Sequence, residues 1–194
     1  VRRKFVVTTN SKHSLNASKN LLKRNFETDR PNQVWVSDIT YLSSRAGWLY
    51  LVVFIDLFSR RVVGWNVSPS LGHESVLEAL SRAVWNRRPD PGLMIHSDRG
   101  VQYCCEGFRK AIHTHQFVQS MSRKGNCWDN AVAESFFKSL KTEWLYHIDL
   151  MDLSHAEQEL FSYIEGFYNN QRLHAYLDYM SPDNFERLTR LKVA

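Results

Sequence analysis

Three apolar runs of strand length follow one another between residues 34 and 67 with almost nothing between them. They are residues 34–42 ("VWVSDITYL"), 48–56 ("WLYLVVFID") and 61–67 ("RVVGWNV"), joined by "SSRAG" and "LFSR". Runs rich in β-branched and aromatic residues, separated by turn-length segments, predict an antiparallel meander. Parallel strands need a crossover of a dozen or more residues, which these joints are too short to supply. The chain is therefore expected to fold round a sheet whose first three strands are consecutive neighbours.

The first run contains an anomaly. Asp38 sits at the centre of a strand that otherwise reads as buried on both faces. Asp is depleted from strands, and an unpartnered buried carboxylate is expensive. Breaks in local rules cluster at functional sites. Asp56 is a rival acid, but it precedes "LFSR" at a strand end, where Asp commonly stabilises a turn.

Beyond the meander the pattern changes period. Val76, Leu77, Leu80 and Val84 recur at helical spacing, and Pro89 stops that helix. "GLMIHSDRG" reads as a short strand ending in a polar turn, followed by a helix over about 105–115 and a strand at 117–120. "SRKGNCWDN" is a glycine-bearing loop whose Asp129 or Asn130 can cap a helix running to about Tyr146. Further helices are expected over about 154–169 and from Pro182. The order of elements predicts an α/β fold, a mixed sheet with helices on its faces. At 194 residues and 43% hydrophobic content the chain has material for a full core, and no apolar run approaches the 18 residues of a membrane span. Cys104, Cys105 and Cys127 form no even framework and no C-x-x-C pair, so they read as reduced thiols of a cytoplasmic protein.

Two more acids stand out by position. Asp98 falls just past the end of the fourth strand, where open α/β sheets place their ligand crevices. Glu134 lies near the start of the helix after the glycine loop. Ala133, Phe137, Leu140 and Trp144 form the apolar stripe of that helix, and Glu134, Lys138 and Lys141 share the face beside it. Taken singly, "SDRG" is an ordinary turn and Glu134 an ordinary solvated acid; His96 and His115 have no partner at metal-site spacing. Taken together, three carboxylates from separate segments suit hard divalent cations, Mg²⁺ with Mn²⁺ as substitute. Two such ions about 3.5–4 Å apart stabilise the entering and leaving oxygens of an in-line phosphoryl displacement. Asp38, Asp98 and Glu134 are thus the candidate catalytic and metal-binding residues.

Charge points to nucleic acid. The net charge is +5, yet residues 1–25 hold seven basic residues and no acid, among them Arg2, Arg3 and Lys4. A basic arm of this kind is one footprint of nucleic-acid binding, and a solvated tail is its ordinary counterpart. Lys138 and Lys141 would meet phosphates beside the acidic site.

The acids and their surroundings resemble a known family. Asp98 and Glu134 are separated by 35 residues, the spacing of the Asp-Asp-Glu core of retroviral-type integrases and transposases. "PNQVWVSDITYL", "GWLYLVVFIDLFSRRVVGW", "HSDRGVQY", "SMSRKGNCWDNAVAESFFKSLKTE" and "YNNQRLH" together resemble the IS-three family of bacterial insertion-sequence transposases. The resemblance implies an RNase H-like mixed sheet, three antiparallel strands followed by parallel ones, with helices on both faces. It implies a DNA polynucleotidyl transferase that performs metal-dependent cleavage and 3′-OH strand transfer. It divides the chain into a basic arm or linker (1–31), a catalytic core (32–148) and a helical extension (149–194). DNA contacts are expected from Lys138, Lys141, Arg123, Lys124 and Arg172, and from Arg2, Arg3 and Lys4 of the arm.

The expected partners are insertion-sequence ends, target DNA and further copies of the chain, in a bacterial cytoplasm and on the nucleoid when DNA is bound. An upstream helix-turn-helix half, supplied by a frameshift fusion, is expected to read the ends. Ala175 and Asp178 stand where the family commonly shows Ser and Gly, which places Asp178 at a left-handed turn position. Two other readings stay open: a ribonuclease H-type nuclease using the same acids, and a catalytically silent DNA-binding fragment.

Overall fold

In the computed structural model, which describes residues 15–123 and 127–193, the three runs become β1 (Val34–Ser44), β2 (Gly47–Asp56) and β3 (Val62–Ser68). β1 and β2 pair antiparallel from Trp35 opposite Asp56 to Ser44 opposite Gly47, and β3 pairs antiparallel on β2. Gly47 turns the first hairpin at φ +128°, a region glycine enters without a Cβ penalty. β4 (Met94–Ser97) and β5 (Val118–Met121) add in parallel on the other side of β1, so the order is β3-β2-β1-β4-β5. The crossovers are helical: α1 (His73–Arg87) leads to β4, and α2 (Val101–Cys104) with α3 (Glu106–Thr114) leads to β5.

Strand alternation feeds two cores. Trp35 and Ile39 of β1, with Val52 and Phe54 of β2, pack towards α1 and α3. Val36 and Leu42, with Leu51, Val53 and Ile55, pack towards α4 (Ala131–Glu143) and α5 (Leu153–Phe161). The α1 contact depends on Gly64. A Cβ there would stand 2.5 Å from both the Ala79 carbonyl oxygen and the Ala83 Cβ.

Leu160, Tyr163, Ile164 and Tyr168 belong to the second core. The helix expected over 154–169 is α5 followed by π-helical turns at Ser162–Tyr168. The helix expected to reach Tyr146 ends at Glu143, and a 3₁₀ turn, Leu145–His147, follows it. α6 (Pro182–Val193) is tied down by a buried charge network. Arg87 of α1 bonds Glu186 at 2.8 and 2.9 Å and Asp56 at 3.3 Å, and Ser59 donates to Glu186 at 2.6 Å. Asp56 also accepts the Asn32 and Phe58 N–H groups, which is the turn role its position indicated. Asp178 does adopt the left-handed conformation, φ +51°, and Tyr179 follows at φ +58°.

Both sheet edges are met by other parts of the chain. On β3 the Asn169 amide accepts from the Val62 N–H at 3.0 Å and donates to the Val62 carbonyl at 3.1 Å. On β5 the Met121 N–H donates to the Lys19 carbonyl, and Ser120 Oγ accepts from the N–H groups of Leu21 and Leu22.

Candidate active site

The parallel register of β1 and β4 sets Val36 opposite His96. Asp38 follows Val36 by two residues on β1, and Asp98 follows His96 by two residues, just past the end of β4. Each carboxylate is fixed locally. The Ile39 N–H donates to Asp38 Oδ1 at 2.8 Å, and the Gly100 N–H donates to Asp98 Oδ1 at 2.8 Å. Ser97 Oγ holds the Asp98 carbonyl at 2.9 Å.

Burial pushes the Asp38 pKa well above the usual carboxylate range, and the charge of Asp98 pushes the same way. Glu134 adds a smaller push, while the Ile39 N–H and the Lys141 ammonium oppose it. Asp38 thus stands among acids that resist its ionisation. Glu134 keeps an exposed side chain one turn into α4, and partial burial raises its pKa too. Among the described residues, no three His, Cys, Asp or Glu side chains lie close enough together to hold one metal ion. The structure therefore brings Asp38 and Asp98 together with Glu134 within electrostatic reach, but leaves the triad short of ligating range. The chemistry of the donors nevertheless fits a hard divalent cation: carboxylate oxygens only, with the Asp98 and Glu134 charges both opposing ionisation of Asp38.

The basic residues separate by environment. Lys141 is half-buried, with its pKa lowered by burial against the pull of Asp38, whereas Lys138 is exposed on the same helix face. Arg172 is held by Glu143 at 2.6 Å and by Ser139 at 3.1 Å, and Arg123 by Asp129 at 2.9 Å. Arg2, Arg3, Lys4 and Lys124 lie outside the described residues.

Three residues near the acids were not singled out from sequence as part of the site. Tyr103, fully buried, meets Ser37 Oγ at 2.8 Å, and burial with the Asp38 and Asp98 charges keeps its phenol neutral. It lies five residues after Asp98, so its place in "HSDRGVQY" was the available signal. Asp129 and Asn130 were expected to cap α4. Asn130 occupies the cap position but makes no side-chain cap bond; its amide donates instead to the Ser37 carbonyl at 3.1 Å.

A family model described as Integrase core domain matches residues 28–127, and a second with the same description matches 115–182. Transposase InsF for insertion sequence IS3A, from Escherichia coli K12, is 42% identical over 184 residues, covering 95% of this chain and 64% of its own length. The transposase for insertion sequence element IS904, from Lactococcus lactis, is 42% identical over 168 residues, covering 87% and 66%. The chain thus spans a little under two thirds of these relatives. A simian T-cell lymphotropic virus intasome chain superposes with TM-score 0.69 at 19% identity, covering 92% of this chain and 61% of that one. The HTLV-2 integrase catalytic core domain in complex with magnesium gives 0.61 at 16% identity, covering 82% and 99%. At such identities the likeness is one of fold, and the fold is the RNase H-like one expected from sequence.

Proposed function

Because this chain belongs to the integrase core domain family, we propose that it is the catalytic domain of a bacterial insertion-sequence transposase that cuts DNA and joins the resulting 3′-OH to a new phosphodiester. The observation that supports this reading is that Asp38, two residues beyond the Val36–His96 pair, feels the charges of both Asp98 and Glu134. Two relatives named as insertion-sequence transposases support it.

The proposed chemistry needs no covalent protein intermediate. The 3′-oxygen of the element's end bonds to a target phosphorus while that phosphorus loses its own 3′-oxygen, so one phosphodiester replaces another. Mg²⁺ or Mn²⁺, two ions held by Asp38, Asp98 and Glu134, would supply charge for the entering and leaving oxygens. This chain's residues position and neutralise. The Ile39 and Gly100 N–H groups orient the two aspartates, and Lys141 offsets part of their charge. Cys104 is buried, with its thiol pushed up by that burial, and Ser97 is occupied by the Asp98 carbonyl; neither is set up as a nucleophile. Lys138 and Lys141, with Arg123, Lys124, Arg172 and the arm residues Arg2, Arg3 and Lys4, are proposed to hold DNA. A helix-turn-helix half joined by frameshift and self-association on DNA are further proposals of the same reading. Among the described residues no helix is long and apolar enough to cross a membrane.

The test is strand transfer from a precleaved, labelled end duplex with Mg²⁺ or Mn²⁺. Joined product from the wild type, and none from Asp38→Asn, Asp98→Asn or Glu134→Gln with DNA binding kept, is the expected result. Cleavage of an RNA–DNA hybrid without any joining would favour the ribonuclease reading. Binding with neither activity would favour a silent fragment.

A further inference from the structure

We propose that Asp129 and Asn130 are positioning residues that set where Glu134 stands relative to Asp38, and that residues 20–24 take part through Asp129. The inference rests on the reading of those two acids as reacting-site residues. Asp129 lies in the 3₁₀ turn Cys127–Asn130, immediately before α4, with its side chain fully buried. Its Oδ1 accepts from Arg24 Nε at 2.8 Å and from the Arg123 guanidinium at 2.9 Å. Its Oδ2 accepts from Asn20 Nδ2 at 2.9 Å, from the Arg123 N–H at 2.9 Å and from Arg123 Nε at 3.1 Å. One carboxylate therefore joins the start of α4 to both the preceding loop and a segment over 100 residues upstream.

Asn130 makes the complementary tie. An Asn at a helix N-cap ordinarily bonds a free N–H of the first turn, worth about 1 kcal/mol. Here the side chain gives up that bond and reaches across to the Ser37 carbonyl, the residue before Asp38, while its own Oδ1 is buried without a partner among the described residues. A helix forgoes its cap where the displaced bond does something else. From Asn130 to Glu134 is one helical turn, about 6 Å, and from Ser37 to Asp38 is a single residue. The Asn130–Ser37 bond thus fixes the root of α4 directly to the strand that carries Asp38. Residues 20–24, held on the β5 edge by Ser120 as well, brace the same root from outside through Asp129.

Groups that orient ligands rather than touch the reaction typically change metal affinity or activity by about 10–100-fold when removed. The probe is Mn²⁺ alone, with the free ion followed by electron paramagnetic resonance, alongside strand transfer and melting temperature for each variant. Asn130→Ala and Asp129→Asn are expected to raise the half-saturating Mn²⁺ concentration about tenfold, with activity falling beyond what the melting shift explains. Arg24→Ala removes a partly exposed side chain, 43% accessible, so it keeps the test open if the buried variants do not fold. It should move Mn²⁺ binding the same way, by less, and add nothing in the Asp129→Asn background.

Asp38→Asn is the reference. If Asp38→Asn loses Mn²⁺ binding and transfer while the three variants bind and react like wild type, or lose activity only in step with melting, the positioning role is overturned and the site reading stands. If Asp38→Asn itself leaves both unchanged, the site reading falls and the positioning inference goes with it.

Discussion

The Lys141 ammonium rests 4.7 Å from the centre of the Tyr41 ring, on the same strand as Asp38. That interaction holds the charge at the acidic site, where Lys138, one turn back and exposed, is not held. Lys141 should therefore matter more to DNA than Lys138. Replacing both with Ala should flatten the salt dependence of end-duplex binding by about 0.9 in slope for each phosphate that the lysines neutralise. Titrations at several salt concentrations read this directly, and an unchanged slope in the double variant would return both lysines to solvent.

Asp38 is held against two other acids, so removing its charge should stabilise the metal-free protein while abolishing its chemistry. Asp38→Asn is expected to melt a few degrees higher than wild type without metal, 1 kcal/mol being worth about 2–4 °C in a chain of this size. Adding Mn²⁺ should raise the wild-type melting temperature and leave the variant's where it was. Calorimetry with and without the ion decides it; a variant that melts lower in metal-free buffer contradicts the repulsion.

Burial lifts Asp56 to about 6, against the Asn32 and Phe58 N–H groups and Arg87. The folded protein then keeps this proton where the unfolded chain has released it. The stability Asp56 lends is complete below about pH 4 and is lost as pH rises towards about 6. Glu186, on the same Arg87, runs the other way. Burial pushes its pKa up, but the Arg87 hydrogen bonds and charge, the Ser59 hydroxyl and the Arg61 charge together outweigh that and lower it, so its contribution is lost as pH falls. Denaturant unfolding across pH 4–6 should show the wild type losing ground against Asp56→Asn as pH rises. Parallel curves would mean Asp56 titrates normally. Arg87→Ala, which strands both acids, should cost about 3–5 kcal/mol at neutral pH.

At Gly64 an added methyl meets backbone and a β-carbon at 2.5 Å, neither of which can rotate aside. Gly64→Ala should force α1 off β3 and cost about 1–3 kcal/mol. Urea denaturation measures it, and a loss under about 0.5 kcal/mol would show that α1 yields more easily than its packing implies.

The meander was legible because its joints are too short for anything else, and Asp38 because a carboxylate contradicts its own strand. Asp98 and Glu134 followed from where strand and helix periods end. What sequence concealed is what depends on distant partners. Asp129 read as a helix cap because its near neighbours suggest one, whereas Asn20 and Arg24 lie more than 100 residues away in the chain. The π-helical turns after α5 could not be seen because 3.6-residue spacing also fits 154–169; Tyr163, Ile164 and Tyr168 of those turns all enter the second core. The unequal standing of Lys138 and Lys141 was also hidden, since they share a helix face and differ in burial, in the pull of Asp38 and in the Tyr41 ring.

Asn169 and the Lys19 carbonyl have a consequence for self-association. An exposed sheet edge is a template on which another chain can add a strand. At Val62 that template is filled by a side-chain amide imitating a neighbouring strand, and at Met121 by the chain's own backbone. A strand added from another copy could pair at Val62 or Met121 only by displacing these partners. Both ends of the sheet order thus carry a local obstacle to strand addition that belongs to the folded chain itself.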